Sequence, residues 1–324
     1  DAMAPTIWGA SSSWTLTALP LFVWMGEILF RTKLSENLFK GLSPWMQRLP
    51  GGLIHVNVIG CALFAAISGS SAATVATVGK MSIPELRKRN YPEKILLGSL
   101  AGSGTLGLLI PPSIILIIYG VTVQESIAKL FIAGILPGIM IALIFMSYVI
   151  VWSLINKKNM PISTENFSFL EKIKKSKQLL PVILLILGVI GSIYTGIATA
   201  TEAASLGVVG ALILSYFQKS LSVETFKSSL LGATKTSCMI AFILAGATFL
   251  SLAMGFTGLP RNLAIWIQNM ELSPHVLIFV LMIFYIILGM FLDGISAVVL
   301  TMAIIEPMIR QAGFDMIWFG IFLV

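Results

Sequence analysis

Apolar residues run in stretches along the whole chain, and short polar or basic segments separate them. An uninterrupted apolar stretch of about 20 residues is the length that crosses a bilayer as a helix. The clearest stretches cover residues 16–30, 130–155, 179–194, 203–217 and 231–256. The pattern predicts an all-α polytopic membrane protein.

Three mixed segments have apolar residues at helical spacing and polar residues between them. In residues 31–50 the apolar positions include Leu34, Leu38, Leu42 and Trp45. Such an amphipathic helix lies in the membrane interface as an arm and does not span the bilayer. Residues 221–229 and 257–274 predict two further arms.

Two apolar segments are each divided in the middle by small polar residues. Residues 51–80 divide at 68–71, and residues 275–310 divide at 293–296. Basic clusters place both ends of the first segment on the same side, which fits either two complete spans or one re-entrant hairpin. Since residues 68–71 are small and uncharged, we predict that the first segment is a re-entrant hairpin.

A proline pair interrupts the apolar run of residues 95–119. Pro111 and Pro112 remove two backbone donors, and a helix stops before them. At membrane depth a broken helix is tolerated only where it faces protein or a water-filled cavity. The run therefore predicts a broken helix close to a functional cavity.

The two halves of the chain repeat one order, an arm followed by a hairpin. The charge pattern predicts that the first hairpin enters the membrane from the inside and the second from the outside. Two similar units of opposite orientation indicate an inverted-repeat transporter.

Composition agrees with the membrane assignment, since 57% of residues are apolar and 11% are charged. Soluble domains have about 25% charged residues, so a soluble enzyme, a disordered chain and a nucleic-acid binder are excluded. The net charge is +7, and the bases lie in short loops, which the positive-inside rule places in the cytoplasm; one of these is a basic, polar loop predicted at 156–178. Cys61 and Cys238 lie in apolar stretches and are predicted to be buried free thiols.

The small polar residues of the first hairpin and of the broken helix are the main candidates for chemistry. Residues 68–74 supply Ser and Thr hydroxyls, and residues 102–105 and 111–113 supply Gly, Ser, Thr and Pro. Unwound carbonyls and helix C-termini hold Na⁺, whereas helix N-termini attract a carboxylate. The alternative is that small residues only allow close helix packing.

Acids within the apolar stretches are the second group of candidates. Asp293 is predicted to have a functional role, to cap a helix N-terminus, or to do both. Glu202 is predicted to be a structural acid in the first turn of a helix that Thr199 or Thr201 caps. Glu27 is predicted to pair with a base on a neighbouring helix.

Metal and nucleotide chemistry have no support in the sequence. His55 and His275 are isolated, and we interpret them as hydrogen-bonded structural residues. No cluster of metal ligands and no phosphate-binding glycine loop is present.

Several motifs together resemble the large membrane subunit of the tripartite ATP-independent periplasmic (TRAP) transporters. They follow the family's order across nearly the whole chain: PLF at 20–22, GE at 26–27, GGLIHVNV at 51–58, SGSSAAT at 68–74, LIPPS at 109–113, YG at 119–120, AGILPG at 133–138, TEAA at 201–204 and LGMFLD at 288–293.

The resemblance implies a sodium-coupled importer of organic acids in the bacterial inner membrane, working as an elevator. It implies a scaffold helix with its arm at 1–50, the first repeat of a transport domain at 51–128, scaffold helices with a linking arm at 129–230, and the second repeat at 231–324. It also implies further helices before Asp1 and a second Pro–Pro motif after Val324.

The resemblance also implies the ligands and the partners. Sodium would be held by Ser68, Gly69, Ser70, Ser71, Thr74, Gly104, Ile110 and Pro111, and at a second site by Asp293 and Ser296. The substrate would contact Ser71, Pro112, Ser113 and Asp293. The expected partners are a periplasmic substrate-binding protein, a small membrane subunit of about four helices and the lipid bilayer.

The identity of the substrate and the class of protein leave alternatives open. Sialic acids and C4-dicarboxylates are both plausible substrates of such a family. A sodium–dicarboxylate symporter that needs no binding protein is the nearest alternative. A channel and an intramembrane enzyme are the others, although an enzyme would need clustered acids, bases or metal ligands at one interface.

Overall fold

A computed structural model describes residues 3–32, 34–161, 167–177, 179–269 and 273–324. All regular elements among these residues are helical. In the first half the α-helices are α1 Met3–Ser11, α2 Ala18–Phe30, α3 Leu34–Met46, α4 Ile54–Ser68, α5 Ser71–Lys88, α6 Glu93–Gly104, α7 Leu106–Leu109, α8 Ile114–Thr122 and α9 Ile127–Ile155. In the second half they are α10 Phe169–Ser176, α11 Leu180–Tyr194, α12 Ala200–Phe217, α13 Val223–Thr257, α14 Leu259–Asn269, α15 Pro274–Gly289, α16 Gly294–Gln311 and α17 Met316–Leu323.

Several of the described helices have the length and apolarity to cross a membrane. Helices α9, α12, α13 and α16 meet both conditions, and the number rises to as many as 7 if each bent helix pair is one span. One such pair is α6–α7 with α8, which bend by 40° at their break. The all-helical, polytopic prediction is confirmed.

The first predicted hairpin consists of α4 and α5, which pack against each other. Gly69 ends α4 in the left-handed conformation at φ 58°, and Ser70 precedes α5. At 1.5 Å per residue, the 15 residues of α4 reach about 22 Å, less than the roughly 30 Å apolar layer. This length favours a re-entrant hairpin over two complete spans.

The broken helix lies where the proline pair predicts it. Helix α7 ends at Leu109, Ile110 is extended, and α8 begins at Ile114. Helix α9 approaches this break closely, because a Cβ on Gly134 would lie 2.9 Å from the Leu109 carbonyl oxygen. We call residues 110–113 the break.

The corner after α5 and the corner after α16 have the same geometry. Both helices have 18 residues and contain a proline at the same position, Pro84 or Pro307. Each corner then has a left-handed residue, Asn90 or Gly313. The next amide donates to the carbonyl five residues earlier, from Tyr91 to Leu86 at 3.0 Å and from Phe314 to Ile309 at 3.2 Å.

Two predictions about segments that lie outside the apolar runs are wrong in part. The polar loop predicted at 156–178 contains α10, which the Ser168–Glu171 capping box starts; residues 162–166 and 178 lie outside the described range. The separate arm predicted at 221–229 does not exist, because α13 continues without a break for 35 residues. Ser222 caps that helix, and no proline interrupts it.

Helix α10 packs against the arm α3. Trp45 donates its indole N–H to Ser176 Oγ at 2.8 Å, and its ring meets that of Phe169 edge to face with 6.2 Å between the ring centres. The first arm is therefore braced by a helix that the sequence pattern did not predict.

The prediction of two buried thiols is half correct. Cys61 is buried, whereas Cys238 is exposed on α13. An apolar membrane helix is hydrophobic on its core face and on its outer face alike, so hydropathy does not say which face a cysteine occupies.

Candidate functional site

The turn of the first hairpin gathers several oxygen atoms. Thr74 Oγ1 donates a hydrogen bond to the Ser70 carbonyl oxygen at 2.7 Å and lies 2.8 Å from Ser68 Oγ. Ser68 Oγ is in turn 3.3 Å from the same carbonyl. We call residues 68–74 the first tip. Its three oxygens are of the neutral, hard type that Na⁺ sites use.

The first tip lies directly on the break. The Ile114 amide donates to the Gly69 carbonyl oxygen at 3.3 Å. A Cβ on Gly69 would lie 2.8 Å from the Pro112 carbonyl oxygen, so no side chain fits there. The residues predicted from 68–74 and from 110–113 are therefore brought together.

Two glycines of the broken helix allow this close approach. A Cβ on Gly107 would lie 2.8 Å from the Ser70 carbonyl oxygen and 2.9 Å from Thr74 Oγ1. Gly104 faces α5, where its Cβ would overlap the Val75 side chain and lie 3.8 Å from the Ser71 carbonyl oxygen. The sequence predicts close backbone approach at both glycines, but only Gly104 was selected for the sodium site, although Gly107 lies nearer to the oxygen cluster.

Ser113 is fully buried at the start of α8. Its hydroxyl donates to the Leu108 carbonyl and accepts from the Leu116 amide at 3.3 Å. The hydroxyl therefore joins the two sides of the break and caps α8. A substrate contact at Ser113 stays a prediction.

The second predicted tip meets the same break from another side. Asp293 caps α16, because its carboxylate accepts from the amides of Ile295 at 3.1 Å and Ser296 at 3.2 Å. It also accepts from the Ser296 hydroxyl at 2.6 Å. A Cβ on Gly294 would overlap the Ile115 side chain. The capping role of Asp293 is confirmed, and we call residues 293–296 the second tip.

Helix ends of both polarities therefore converge at the break. Helices α5, α8 and α16 begin there, and α4 and α7 end there. A helix N-terminus carries about half a positive charge and a C-terminus about half a negative charge. The arrangement offers separate places for an anion and for a cation within one region.

A cavity of about 280 Å³ lies between α8, α13 and α16. The polar residues that line it include Thr122, Gln124, Thr248, Ser251 and Glu306. Sequence reasoning did not select these residues, because they come from three helices that are distant in the sequence. Glu306 pairs with Arg310 at 2.9 Å, and this contact is visible in the sequence as an i,i+4 pair on one helix.

The two predicted structural acids behave differently. Glu27 pairs with Arg31 at 2.9 Å, at the end of its own helix, so the prediction of a base on a neighbouring helix is wrong. The i,i+4 spacing on α2 makes this pairing the nearest one. Glu202 is confirmed in a capping box, because its carboxylate accepts from the Thr199 amide at 2.8 Å while Thr199 Oγ1 accepts from the Glu202 amide at 3.3 Å.

The capping box predicts a specific loss of stability. We expect Thr199→Ala to destabilise the protein by about 1 kcal/mol, because α12 loses the acceptor for an unpaired amide. Thr199→Ser keeps the acceptor and is expected to match the wild type in thermal unfolding. An equal loss in both variants would show that the hydroxyl does not act as a cap.

The histidines contribute no metal site among the described residues. His55 is buried, and its Nε2 lies 2.8 Å from the Pro50 carbonyl oxygen, which confirms its structural role. His275 is exposed near the start of α15. No group of three or more metal-ligating side chains occurs in the described part of the chain.

Comparison with known proteins gives one consistent result. A sequence model of the family described as "Tripartite ATP-independent periplasmic transporter, DctM component" matches residues 1–324. The C4-dicarboxylate TRAP transporter large permease protein DctM of Pseudomonas aeruginosa is 31% identical over 324 residues, which is 100% of this chain and 75% of that protein.

Two further relatives carry other substrates in their names. The 2,3-diketo-L-gulonate TRAP transporter large permease protein YiaN of Escherichia coli is 31% identical over 99% of this chain and 75% of its own length. The sialic acid TRAP transporter large permease protein SiaM of Vibrio cholerae is 30% identical over 98% of this chain and 74% of its own length.

Proposed function

The chain belongs to the DctM component family of the tripartite ATP-independent periplasmic transporters, and we propose that it imports a small organic acid by sodium-coupled transport. It is accordingly a multi-pass protein of the bacterial inner membrane. The observation that carries the proposal is the meeting of both tips at the break in the α6–α8 helix.

The first tip supports the sodium part of the proposal. Ser68 Oγ, Thr74 Oγ1 and the Ser70 carbonyl oxygen lie within 3.3 Å of one another. The carbonyl end of α4 adds negative potential there. On this proposal Ser71, Gly104, Ile110 and Pro111 complete the first site, and Asp293 with Ser296 forms part of a second.

The helix N-termini support an acidic substrate. Helices α5, α8 and α16 all begin at the break, and the positive ends of their dipoles favour a carboxylate there. The names of the relatives include C4-dicarboxylates, a diketogulonate and sialic acid, which are all acids. We therefore propose a substrate of this class, held near Ser71, Pro112, Ser113 and Asp293.

The matching corners support an internal repeat, and on it we base the proposal of an inverted-repeat elevator. The same sequence separation links Ser71 to Gly294, Pro84 to Pro307, Asn90 to Gly313 and Glu93 to Met316. A shared separation over four landmarks is hard to obtain except from two related units. We propose that the two units form one transport domain, which moves against a scaffold that includes α9, α11 and α12.

The family and the exposed surface support the expected partners. Large apolar side chains such as Leu136 on α9 and Phe242 on α13 are exposed. We propose that lipid and a small membrane subunit cover such faces, and that a periplasmic binding protein delivers the substrate. The isethionate TRAP transporter permease protein DctMQ is 31% identical to the chain, and the match covers 51% of its length. The other half of that protein is long enough to contain a fused small subunit.

Uptake into proteoliposomes tests the proposal. The complete membrane subunits are reconstituted, an inward Na⁺ gradient is applied, and labelled acids are supplied with or without the binding protein. We expect saturable uptake that needs both sodium and the binding protein. Uptake without the binding protein would favour a simple symporter, and the absence of any sodium effect would remove the coupling mechanism.

The first tip also predicts a graded sodium effect. We expect Thr74→Val to raise the Na⁺ concentration for half-maximal uptake about tenfold, the equivalent of about 1.4 kcal/mol, because an oxygen ligand is lost. Thr74→Ser restores the hydroxyl and is expected to restore the affinity.

Thr77→Val is the matched control, since Thr77 is buried on the same helix and its hydroxyl has no hydrogen-bond partner in the described part. If Thr74→Val and Thr77→Val change the sodium dependence equally, the assignment of the first tip is wrong.

A further inference from the structure

A large basic cavity lies between the arm α3, the later turns of α5 and α10. Its volume is about 660 Å³. Among the described residues that line it, four are basic and one, Glu85, is acidic. The basic residues are Lys40, Lys80, Arg89 and Lys175.

Neighbouring groups hold these cations at the cavity wall. Lys80 Nζ lies 5.1 Å from the ring centre of Phe30, and Lys175 Nζ lies 3.7 Å from that of Phe167. Arg89 Nε lies 3.5 Å from Glu85 Oε2. The positions are set by three different helices, so like charges meet here through the tertiary structure.

The lining charges favour an anion. Lys80 and Lys175 are held at the wall by aromatic rings, which do not neutralise their charge, so both remain positive groups with which an anion can pair. A phosphate group carries several acceptor oxygens and matches such a cluster of bases. The hydroxyl of Ser43 and the amide of Gln47 add polar groups to the same wall.

Position and apolar lining favour a phospholipid as the source of the phosphate. The bases place this end of α5 on the cytoplasmic side, and the amphipathic arm α3 suits the level of the headgroups. Phe39, Met81 and Pro84 line the cavity beside the bases. Apolar side chains next to a cationic cluster fit a headgroup with its first acyl carbons better than a free ion.

We propose that this cavity binds a phosphate-bearing anion, with an anionic phospholipid of the cytoplasmic leaflet as the expected source. Binding joins α3, α5 and α10 through one ligand. The ligand therefore raises the thermal stability of the permease, by the linkage of binding and folding.

Titration of the full permease complex, purified in detergent and stripped of lipid, tests the proposal. One arm uses dioctanoyl phosphatidylglycerol and the other uses inorganic phosphate, with calorimetry and the thermal midpoint as the two measurements. We expect the double variant Lys80→Gln/Lys175→Gln to bind the lipid roughly 25-fold more weakly, from about fivefold per lysine.

The control variant Lys88→Gln/Lys174→Gln removes the same charge from the same two helices but from positions that do not line the cavity. It is expected to bind the lipid like the wild type. Lys80→Arg/Lys175→Arg keeps the charge, and we expect it to keep the binding, which separates a lost ligand site from a folding defect.

Each outcome has a definite meaning. Lipid binding that only the cavity variant loses supports the phospholipid. Phosphate binding with the same dependence, and no lipid binding, supports the phosphate site with a free ion as its ligand. Binding of neither compound, or equal losses in the two glutamine variants, overturns the proposal.

Discussion

Gly69→Ala is expected to abolish most sodium-driven uptake. Gly69 has φ 58°, a left-handed conformation that costs an alanine about 1–2 kcal/mol. The added Cβ would also lie 2.8 Å from the Pro112 carbonyl oxygen and 3.1 Å from the Ile114 amide nitrogen. Since strain and overlap both push the first tip off the break, we expect the initial rate to fall about tenfold or more, as about 1.4 kcal/mol suffices for a factor of ten.

Gly98→Ala is the matched control for this variant. Gly98 lies on α6 in the same part of the fold, and a Cβ there would meet nothing within 4 Å. We expect its uptake rate and thermal midpoint to match those of the wild type. If Gly69→Ala transports at the wild-type rate, the contact between the first tip and the break does not matter for transport.

Asp293→Asn is expected to separate the two roles of the second tip. Asparagine caps a helix about as well as aspartate, so the start of α16 should remain intact. The negative charge is lost, and we expect the Na⁺ concentration for half-maximal uptake to rise about tenfold, equivalent to about 1.4 kcal/mol. Asp293→Ala removes both the charge and the cap, and is expected to lower the thermal midpoint as well.

Uptake at several sodium concentrations, together with thermal unfolding of both variants, distinguishes the roles. A wild-type sodium dependence in Asp293→Asn, with a lower midpoint in Asp293→Ala, would leave Asp293 as a helix cap alone. A control at Asp315 is available, because its carboxylate caps α17 by accepting a hydrogen bond from the Trp318 amide at 2.8 Å, and it lies at the end of α16 opposite to the second tip. Asp315→Asn is expected to keep the sodium dependence of the wild type.

The sequence by itself determined the class of the protein and the places where helices end. Apolar runs require helices in a membrane, since every backbone polar group there needs an internal partner. The pair Pro111–Pro112 determined the break, because proline has no amide to donate. Glu202 and Asp293 indicated two helix starts, since a capping side chain acts within three residues of its own position, although the sequence left Thr199 and Thr201 open as the cap of the first.

The sequence did not show reliably where one helix continues and where a separate helix begins. Nothing local separated an arm at 221–229 from the long α13, because an amphipathic stretch can extend a span as well as lie in the interface. The helix α10 was missed for the opposite reason, since its eight residues are too short and too basic to stand out from a loop. Its contacts with Trp45 and Gly41 on the arm show what it packs against.

Only the tertiary structure decided which segments meet. Gly69 and Pro112 touch because α4 turns back beside the broken helix, and Gly294 reaches Ile115 because a second hairpin arrives from a distant part of the chain. The basic cavity of Lys40, Lys80 and Lys175 likewise draws on three helices. Contacts between distant segments depend on how helices pack against one another, and hydropathy and spacing contain information about single helices only.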